Sequence, residues 1–364
     1  MQTSAIGLRL EQLDTPALLI DLDSLDHNTR LMADHFRRHG VAWRPHAKAF
    51  KTPAIAHALL QAGAIGLTVA KVSEAEIFAS AGVRDILIAH LVVGPPKVAR
   101  LAALQRHATV RATVDHPDQI PPLASAARSV GVEIGLLVDV DIGMSRTGVD
   151  SPASALNFAR CLHKTPGLRF DGIMGYEGHT LSIRDDVAKD RAIRMAIDRL
   201  IEARDTILRD GLECPIVSAG GSGSYQFTAG IPGVTEVQAG GGIFACRYYT
   251  ETCRITGHRP AISLLARVVS RPERSRVVLD IGVKSVSSHC EPPVLKHPEI
   301  SITRLSAEHA CLKVPDTLEL PIGSKVEVIP GYSDFTFVLH DRVLGHRAGR
   351  VESSWELWAR GLLQ

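Results

Sequence analysis

Long hydrophobic runs are missing from this chain. No apolar stretch reaches the roughly 18 residues that a membrane-crossing helix needs, and residues 1–12 hold no apolar signal core. The expectation is a cytoplasmic protein with no membrane partner. Cysteine is scarce: six residues (161, 214, 246, 253, 290 and 311) with no Cys-x-x-Cys spacing. That excludes a small disulfide framework and reads as free thiols in a reducing compartment. Neither sign of charge prevails. Forty-one Lys and Arg meet 39 Asp and Glu, for a net charge of +2, and no block of either sign occurs. A nucleic-acid surface is not expected from such a balance. Low-complexity linkers are absent too.

What is present is a rhythm. With 364 residues the chain is long enough for two domains, or for one large barrel with an addition. From Val41 to about Gly240, strand-like and helix-like segments alternate. The strands include Ile65–Ala70, Asp85–His90, Thr109–Asp115, Glu133–Val140, Leu168–Tyr176, Ile216–Gly220 and Thr235–Gly240. The helices between them include a first turn with a capping box from Ser73 to Glu76, and a long helix over 185–209. About eight strands in regular βα alternation predict a (β/α)8 barrel. No Gly-x-Gly-x-x-Gly opens the first βα unit, which disfavours a doubly wound open sheet. From about Ile255 the helices stop. Ala261–Val269, Arg276–Ile281, Lys325–Ile329 and Phe335–Leu339 read as strands of a mostly-β domain. The boundaries expected are 23–254 for the barrel and 255–364 for the β domain, joined by segment 1–22.

The stretch Val41 to Lys51 stands out. Read as a strand, it puts Arg44, His46 and Lys48 on one face and Trp43, Pro45 and Ala47 on the other. Unpaired buried cations are costly, so that face lines an anion-binding pocket or is a solvated basic edge. Thr52 and Pro53 then start a helix, which puts Lys48 where a strand gives way to a helix. Barrel enzymes keep their chemistry at such places.

Other strand ends carry polar groups. His90 ends the third strand, Asp141 to Gly148 follow the fifth, and Tyr176-Glu177-Gly178-His179 ends the sixth. Gly220-Gly221-Ser222-Gly223 follows the seventh, and Gly240-Gly241-Gly242 the eighth. Glycines let backbone N–H groups approach an anion closely, and the loops after strands seven and eight are the usual phosphate site of such barrels. Either glycine run alone could be a tight turn. Both together with a pocket lysine suggest a phosphorylated aldehyde cofactor held as a Schiff base, namely pyridoxal 5'-phosphate (PLP).

These motifs occur in order with Asp280-Ile281-Gly282-Val283-Lys284-Ser285 and Leu305-Ser306-Ala307-Glu308-His309. From about Thr15 to Gly361 the chain resembles the D-threonine aldolase and D-serine dehydratase family, PLP enzymes of the alanine-racemase fold type. The resemblance implies a PLP-binding barrel of the alanine-racemase N-terminal type, a C-terminal mostly-β domain, and a homodimer. It implies that Lys48 carries the cofactor; the neighbouring Lys51 is the rival, but on a strand it falls off the face shared by Arg44, His46 and Lys48. It places Arg146 on the cofactor ring oxygen, and Ser222, Gly223, Gly240 and Gly241 around its phosphate. His46 and Tyr176 join the cofactor-binding set, with Tyr176 and His179 towards the substrate.

One motif departs from the family. Its metal-dependent members carry Pro-x-His-x-Asp or Pro-x-His-x-Cys near the C-terminus, whereas this chain has Pro330-Gly331-Tyr332-Ser333-Asp334. Neutral tyrosine is a poor ligand. A divalent metal such as Mg or Mn at Asp334 is therefore in question, unless His289, Cys290 and His309 rebuild a site. The activity expected is retro-aldol cleavage of a β-hydroxy D-amino acid to a small amino acid and an aldehyde. Lys48, His179 and Tyr332 are its expected catalytic residues, and Tyr332 or His179 would be the base at the β-hydroxyl. Dehydration and racemisation are the alternative reactions of the same lysine. A PLP carrier without turnover is a third possibility from another class.

Overall fold

Parallel strands buried on both faces need nearly continuous apolar sequence, and the central strands here have it. The computed structural model describes residues 5–364, so the expectation for residues 1–12 lies partly outside the described residues. After β1 (Ala17–Asp21) and α1 (Leu22–His39) come β2 (Ala42–Trp43), α2 (Pro53–Gln61), β3 (Leu67–Val69) and α3 (Val72–Ser80). Then follow β4 (Asp85–Leu91), α4 (Pro95–Leu104), β5 (Thr109–Val114), α5 (Ile120–Val130), β6 (Ile134–Asp139) and α6 (Pro152–Lys164). The series continues through β7 (Leu168–Met174), α7 (Asp186–Arg209), β8 (Ile216–Ala219), α8 (Tyr225–Thr228) and β9 (Glu236–Val237).

The eight strands β2 to β9 form one parallel sheet in the order β2-β9-β8-β7-β6-β5-β4-β3. Its two ends meet. The Ile65 and Thr68 amides donate to the Trp43 and Pro45 carbonyls at 2.9 Å each, and His46 bridges Thr68 in parallel. This closure makes the sheet a barrel. Residues Met32–Lys48, Pro53–Gly240 and Gly361–Gln364 form one compact unit. Residues 5–31, Ala49–Thr52 and Gly241–Arg360 form the other.

The Val41–Lys51 stretch is not one strand. Strand β2 is two residues long, the chain continues irregularly to His46, and Ala47–Ala49 is a 3-10 turn. Arg44 is not a pocket residue. It is 2% exposed and donates to Glu236 at 2.9 Å and to Asp85 at 2.6 Å. Arg111 continues the network to Asp85 at 2.8 Å and to Asp171 at 2.7 Å, and Arg169 holds Asp171 at 2.6 Å. Gly135 on β6 leaves room for this crossing, since a Cβ there would meet the Asp171 carboxyl carbon at 3.0 Å. The burial cost that argued for a bound anion is met by the protein's own carboxylates. Arg44→Met should therefore strand the buried Glu236 charge and lower unfolding free energy by about 3–5 kcal/mol. Denaturant unfolding measures it, and a loss below about 1 kcal/mol would show that the network is dispensable.

The predicted capping box also moves. Glu74, not Glu76, reaches back, accepting from the Ala70 and Lys71 amides at 2.7 and 3.0 Å. The helix starts at Val72, one residue before the expected cap, so the reach of three residues falls on Glu74.

The other unit holds β10 (Ile262–Glu273), β11 (Arg276–Leu279), β12 (Val294–Leu295), β13 (Ser301–Leu305), β14 (Ala310–Lys313) and β15 (Lys325–Ile329). Helix α9 (Ser333–Phe337), β16 (Arg342–Arg347) and β17 (Arg350–Glu356) complete it. The sheet has nine strands, and β1 lies inside it, antiparallel to β10 and parallel to β16. Phe335–Leu339 is not the expected strand. Its first residues belong to α9, where Thr336 bonds back to the Tyr332 carbonyl through both its amide and its hydroxyl. Phe337 is fully buried against Phe244, with ring centroids 4.8 Å apart, while Phe335 and Leu339 stay exposed. Burial of one residue in this short run satisfies a helical turn, and its β-favouring composition is overridden. Among the described residues no helix is long and apolar enough to cross a membrane.

Candidate active site at the barrel strand ends

Lys48 lies in the 3-10 turn just after the first barrel strand, half-buried, with its amide donating to His46 Nδ1 at 3.3 Å. The strand-face argument that separated Lys48 from Lys51 does not apply, because the strand has ended. Backbone geometry separates them instead. Lys51 sits at φ +55° in the segment Ala49–Thr52, where its carbonyl accepts from Ala359.

The loop after β7 is built around a residue that sequence reasoning passed over. Glu177 is fully buried, accepts from the Thr228 hydroxyl at 2.6 Å and from the Gly220 amide at 3.2 Å. It thereby ties the Tyr-Glu-Gly-His segment to the glycine loop after β8. The Tyr176 ring covers that loop: a Cβ at Gly221 would meet it at 3.0 Å. Ser222 and Gly223 follow, both buried. Gly240 lies against the His46 backbone so closely that any Cβ would collide with it. Both glycine loops thus present bare backbone for a reason of packing, and bare backbone is what an anion cradle requires.

Arg146 sits in the loop after β6, its guanidinium 5.7 Å from the Tyr176 ring centroid. Asp141 shapes that loop by accepting from the Gly143 and Ser145 amides at 2.9 and 3.0 Å. His179 is exposed on a 3-10 turn, and its ring packs beside Gly143. The structure therefore gathers Lys48, His46, Arg146, Tyr176, His179, Ser222, Gly223 and Gly240 in one unit, on segments that follow barrel strands.

Asp139 at the end of β6 is a second residue the sequence reading missed, although an acid closing an apolar strand was a visible signal. Burial pushes its carboxyl up to about 6, against the Thr147 hydroxyl bond at 2.7 Å and the nearby Arg146 charge. The folded protein thus binds this proton more tightly than the unfolded chain does. The stability it contributes is present at low pH and is lost as pH rises from about 4 to about 6. Asp139→Asn should remove that loss, leaving the variant more stable than the parent at pH 8 by on the order of 3 kcal/mol, and level with it near pH 4. Thermal melts across this range test it. Parallel curves at all pH values would refute the assignment.

Tyr332 and Asp334 belong to the other unit, as does Gly241. The Tyr332 hydroxyl donates to Asp334 Oδ2 at 2.9 Å, and the Ser333 hydroxyl donates to Oδ1 at 3.3 Å. Tyr248, Tyr249 and Phe335 surround the Tyr332 ring, with centroids at 5.0, 5.9 and 5.2 Å. Tyr249 is buried with its hydroxyl against Gly241, and burial holds its phenol well above the usual range. These residues do not fit a divalent cation. No group of three or more His, Cys, Asp or Glu able to hold a metal occurs among the described residues. His309 sits at the turn between β13 and β14, its carbonyl accepting from the Ser306 amide at 2.8 Å. Hard divalent ions need several oxygen ligands, and both oxygens of Asp334 already accept protein hydrogen bonds.

A closed parallel barrel with a lysine after its first strand and a separate β unit defines the alanine-racemase class of fold. The chain belongs to that family: the model described as alanine racemase, N-terminal domain, matches residues 20–247, and a putative serine dehydratase domain matches residues 261–346. It is 37% identical to a D-threonine aldolase from an Arthrobacter species, over 98% of this chain and 95% of that protein. It is 34% identical to a 3-hydroxy-D-aspartate aldolase from Paracoccus denitrificans, over 98% and 94%. The crystal structure of D-threonine aldolase from Filomicrobium marinum superposes with a TM-score of 0.95 at 34% identity, covering 99% of this chain and 100% of that one.

Proposed function

We propose that this chain is a PLP-dependent lyase that cleaves the Cα–Cβ bond of a β-hydroxy D-amino acid, releasing a small amino acid and an aldehyde. The observation that carries the reading is the lysine after the first barrel strand together with two bare-backbone glycine loops after β8 and β9. Full-length identity to two aldolases supports it.

The residues fit the cofactor. The Lys48 amine would hold it, and the Ser222 hydroxyl with the amides at Gly223, Gly240 and Gly241 would bind its phosphate. Arg146 would hydrogen-bond its ring oxygen, and His46 and Tyr176 would flank it. PLP, when bound, supplies an electron sink for the pair left at Cα when the bond breaks. The protein must supply the rest. A base must take the β-hydroxyl proton as the aldehyde carbonyl forms. We assign that role to Tyr332, whose proton can pass to Asp334 along their hydrogen bond, with His179 orienting the substrate. In this reading the protein works as a cytoplasmic homodimer.

The test is a product assay on a panel of D-β-hydroxy amino acids. Aldehyde plus a small amino acid supports the lyase. A keto acid would identify a dehydratase, and an inverted amino acid a racemase. No turnover on any member would leave only a carrier.

A further inference from the structure

Two buried groups of opposite charge grip the turn that follows the glycine loop after β8. Loop 220–223 closes at once into α8. The Gly221 carbonyl accepts from the Ser224 and Tyr225 amides at 3.1 and 2.9 Å, and the Ser224 carbonyl accepts from the Phe227 and Thr228 amides at 2.9 and 3.0 Å. Thr228 is held by Glu177, whose other oxygen accepts from the Gly220 amide. Phe227, the residue before it, is held by Lys189. The Lys189 ammonium stands 5.8 Å from the Phe227 ring centroid, within cation–π range, and the residue is 1% exposed.

Local physics disfavours a lysine at this place. It is the fourth residue of α7, and its amide donates to the carbonyl of the Asp185 cap at 2.8 Å. The positive end of the helix dipole opposes a cation there, and burying an ammonium is costly. An apolar side chain of similar length would pack the same space without that cost. A gain elsewhere must offset both terms.

The gain lies in the loop. Glu177 is fully buried and accepts hydrogen bonds at both carboxylate oxygens, one of them from the loop's first amide. A phosphate dianion bound by the Ser222 hydroxyl and the Gly223 amide would then settle beside a buried carboxylate. Like charges repel strongly in a low-dielectric interior. A buried cation on the neighbouring residue of the same turn relieves that repulsion. We infer that Lys189 is a positioning residue for the cofactor phosphate. Its charge offsets that of Glu177, so the loop that Glu177 anchors still accepts a dianion. This rests on the PLP-dependent reading given above.

The experiment uses the full-length enzyme, freed of cofactor with hydroxylamine and titrated with PLP or with pyridoxal, which lacks the phosphate. Lys189→Met should weaken PLP binding about ten-fold or more and change pyridoxal binding by less than about two-fold. Adding Glu177→Gln to Lys189→Met should return PLP affinity to within about three-fold of the parent, since neither buried charge remains. Equal losses for PLP and pyridoxal would make Lys189 a packing residue and overturn the inference. So would a double variant that binds PLP no better than Lys189→Met, or a Lys189→Met variant with parental PLP affinity. If Lys189→Met does not fold, a folded double variant with near-parental PLP affinity supports the offset, and a double variant that also fails to fold overturns it. A parent that binds no PLP would overturn both the inference and the reading beneath it. The full pattern without cleavage of any D-β-hydroxy amino acid would keep the inference and refute the lyase.

Discussion

Lys48→Ala should reduce turnover by a factor on the order of 10^4 while leaving the barrel folded. The lysine sits on a one-turn 3-10 segment whose neighbours Ala47 and Ala49 are buried, so truncating the half-buried side chain removes little core packing. Its amine is the group we assign to hold the cofactor, and nothing else in the turn can replace a nucleophilic amine. The measurement has two arms. Borohydride treatment of the parent followed by peptide mass mapping should place a stable PLP adduct on Lys48 and not on Lys51. The variant should give no adduct and show steady-state rates near background. An adduct on Lys51, or a Lys48→Ala variant that keeps more than a tenth of the parent rate, would remove Lys48 from the mechanism.

The second large effect is expected at Tyr332. Tyr332→Phe deletes one oxygen and keeps the ring that packs against Tyr248, Tyr249 and Phe335. It leaves Asp334, which is 5% exposed, without its 2.9 Å donor. Removing a positioned general base lowers rates by about 10²–10⁴, so kcat should fall by that amount. Cofactor content should stay at the parent level, since no phosphate contact is assigned to this residue. A metal chelator should leave the parent enzyme's rate within about two-fold, because the Asp334 oxygens already accept from Tyr332 and Ser333. A chelator that abolishes activity, restored by adding Mg or Mn, would return Asp334 to a ligand role. A Tyr332→Phe variant with parental kcat would move the proton transfer to another residue.

The βα alternation was legible because hydrophobic periodicity and turn residues are local properties of the chain. The strand ends followed from it, and so did the places of Lys48, Tyr176, Ser222 and Gly240. The Tyr332 substitution was legible too, since a motif departure needs no coordinates. Other features depended on partners distant in sequence. Arg44 looked like an anion ligand until Glu236, 192 residues away, was found to neutralise it. Glu177 looked incidental until Thr228 and Gly220 were seen to converge on it across 51 and 43 residues. Lys189 carried no motif, and only the packing of α7 against α8 sets it over Phe227. Phe335–Leu339 has strand composition, and burial of Phe337 against Phe244 made its first turn helical. The sequence by itself determined the layered alternation and which residue types stand at strand ends. The tertiary structure alone decided which charges are neutralised, because Coulomb and desolvation terms depend on through-space neighbours that no sequence window contains.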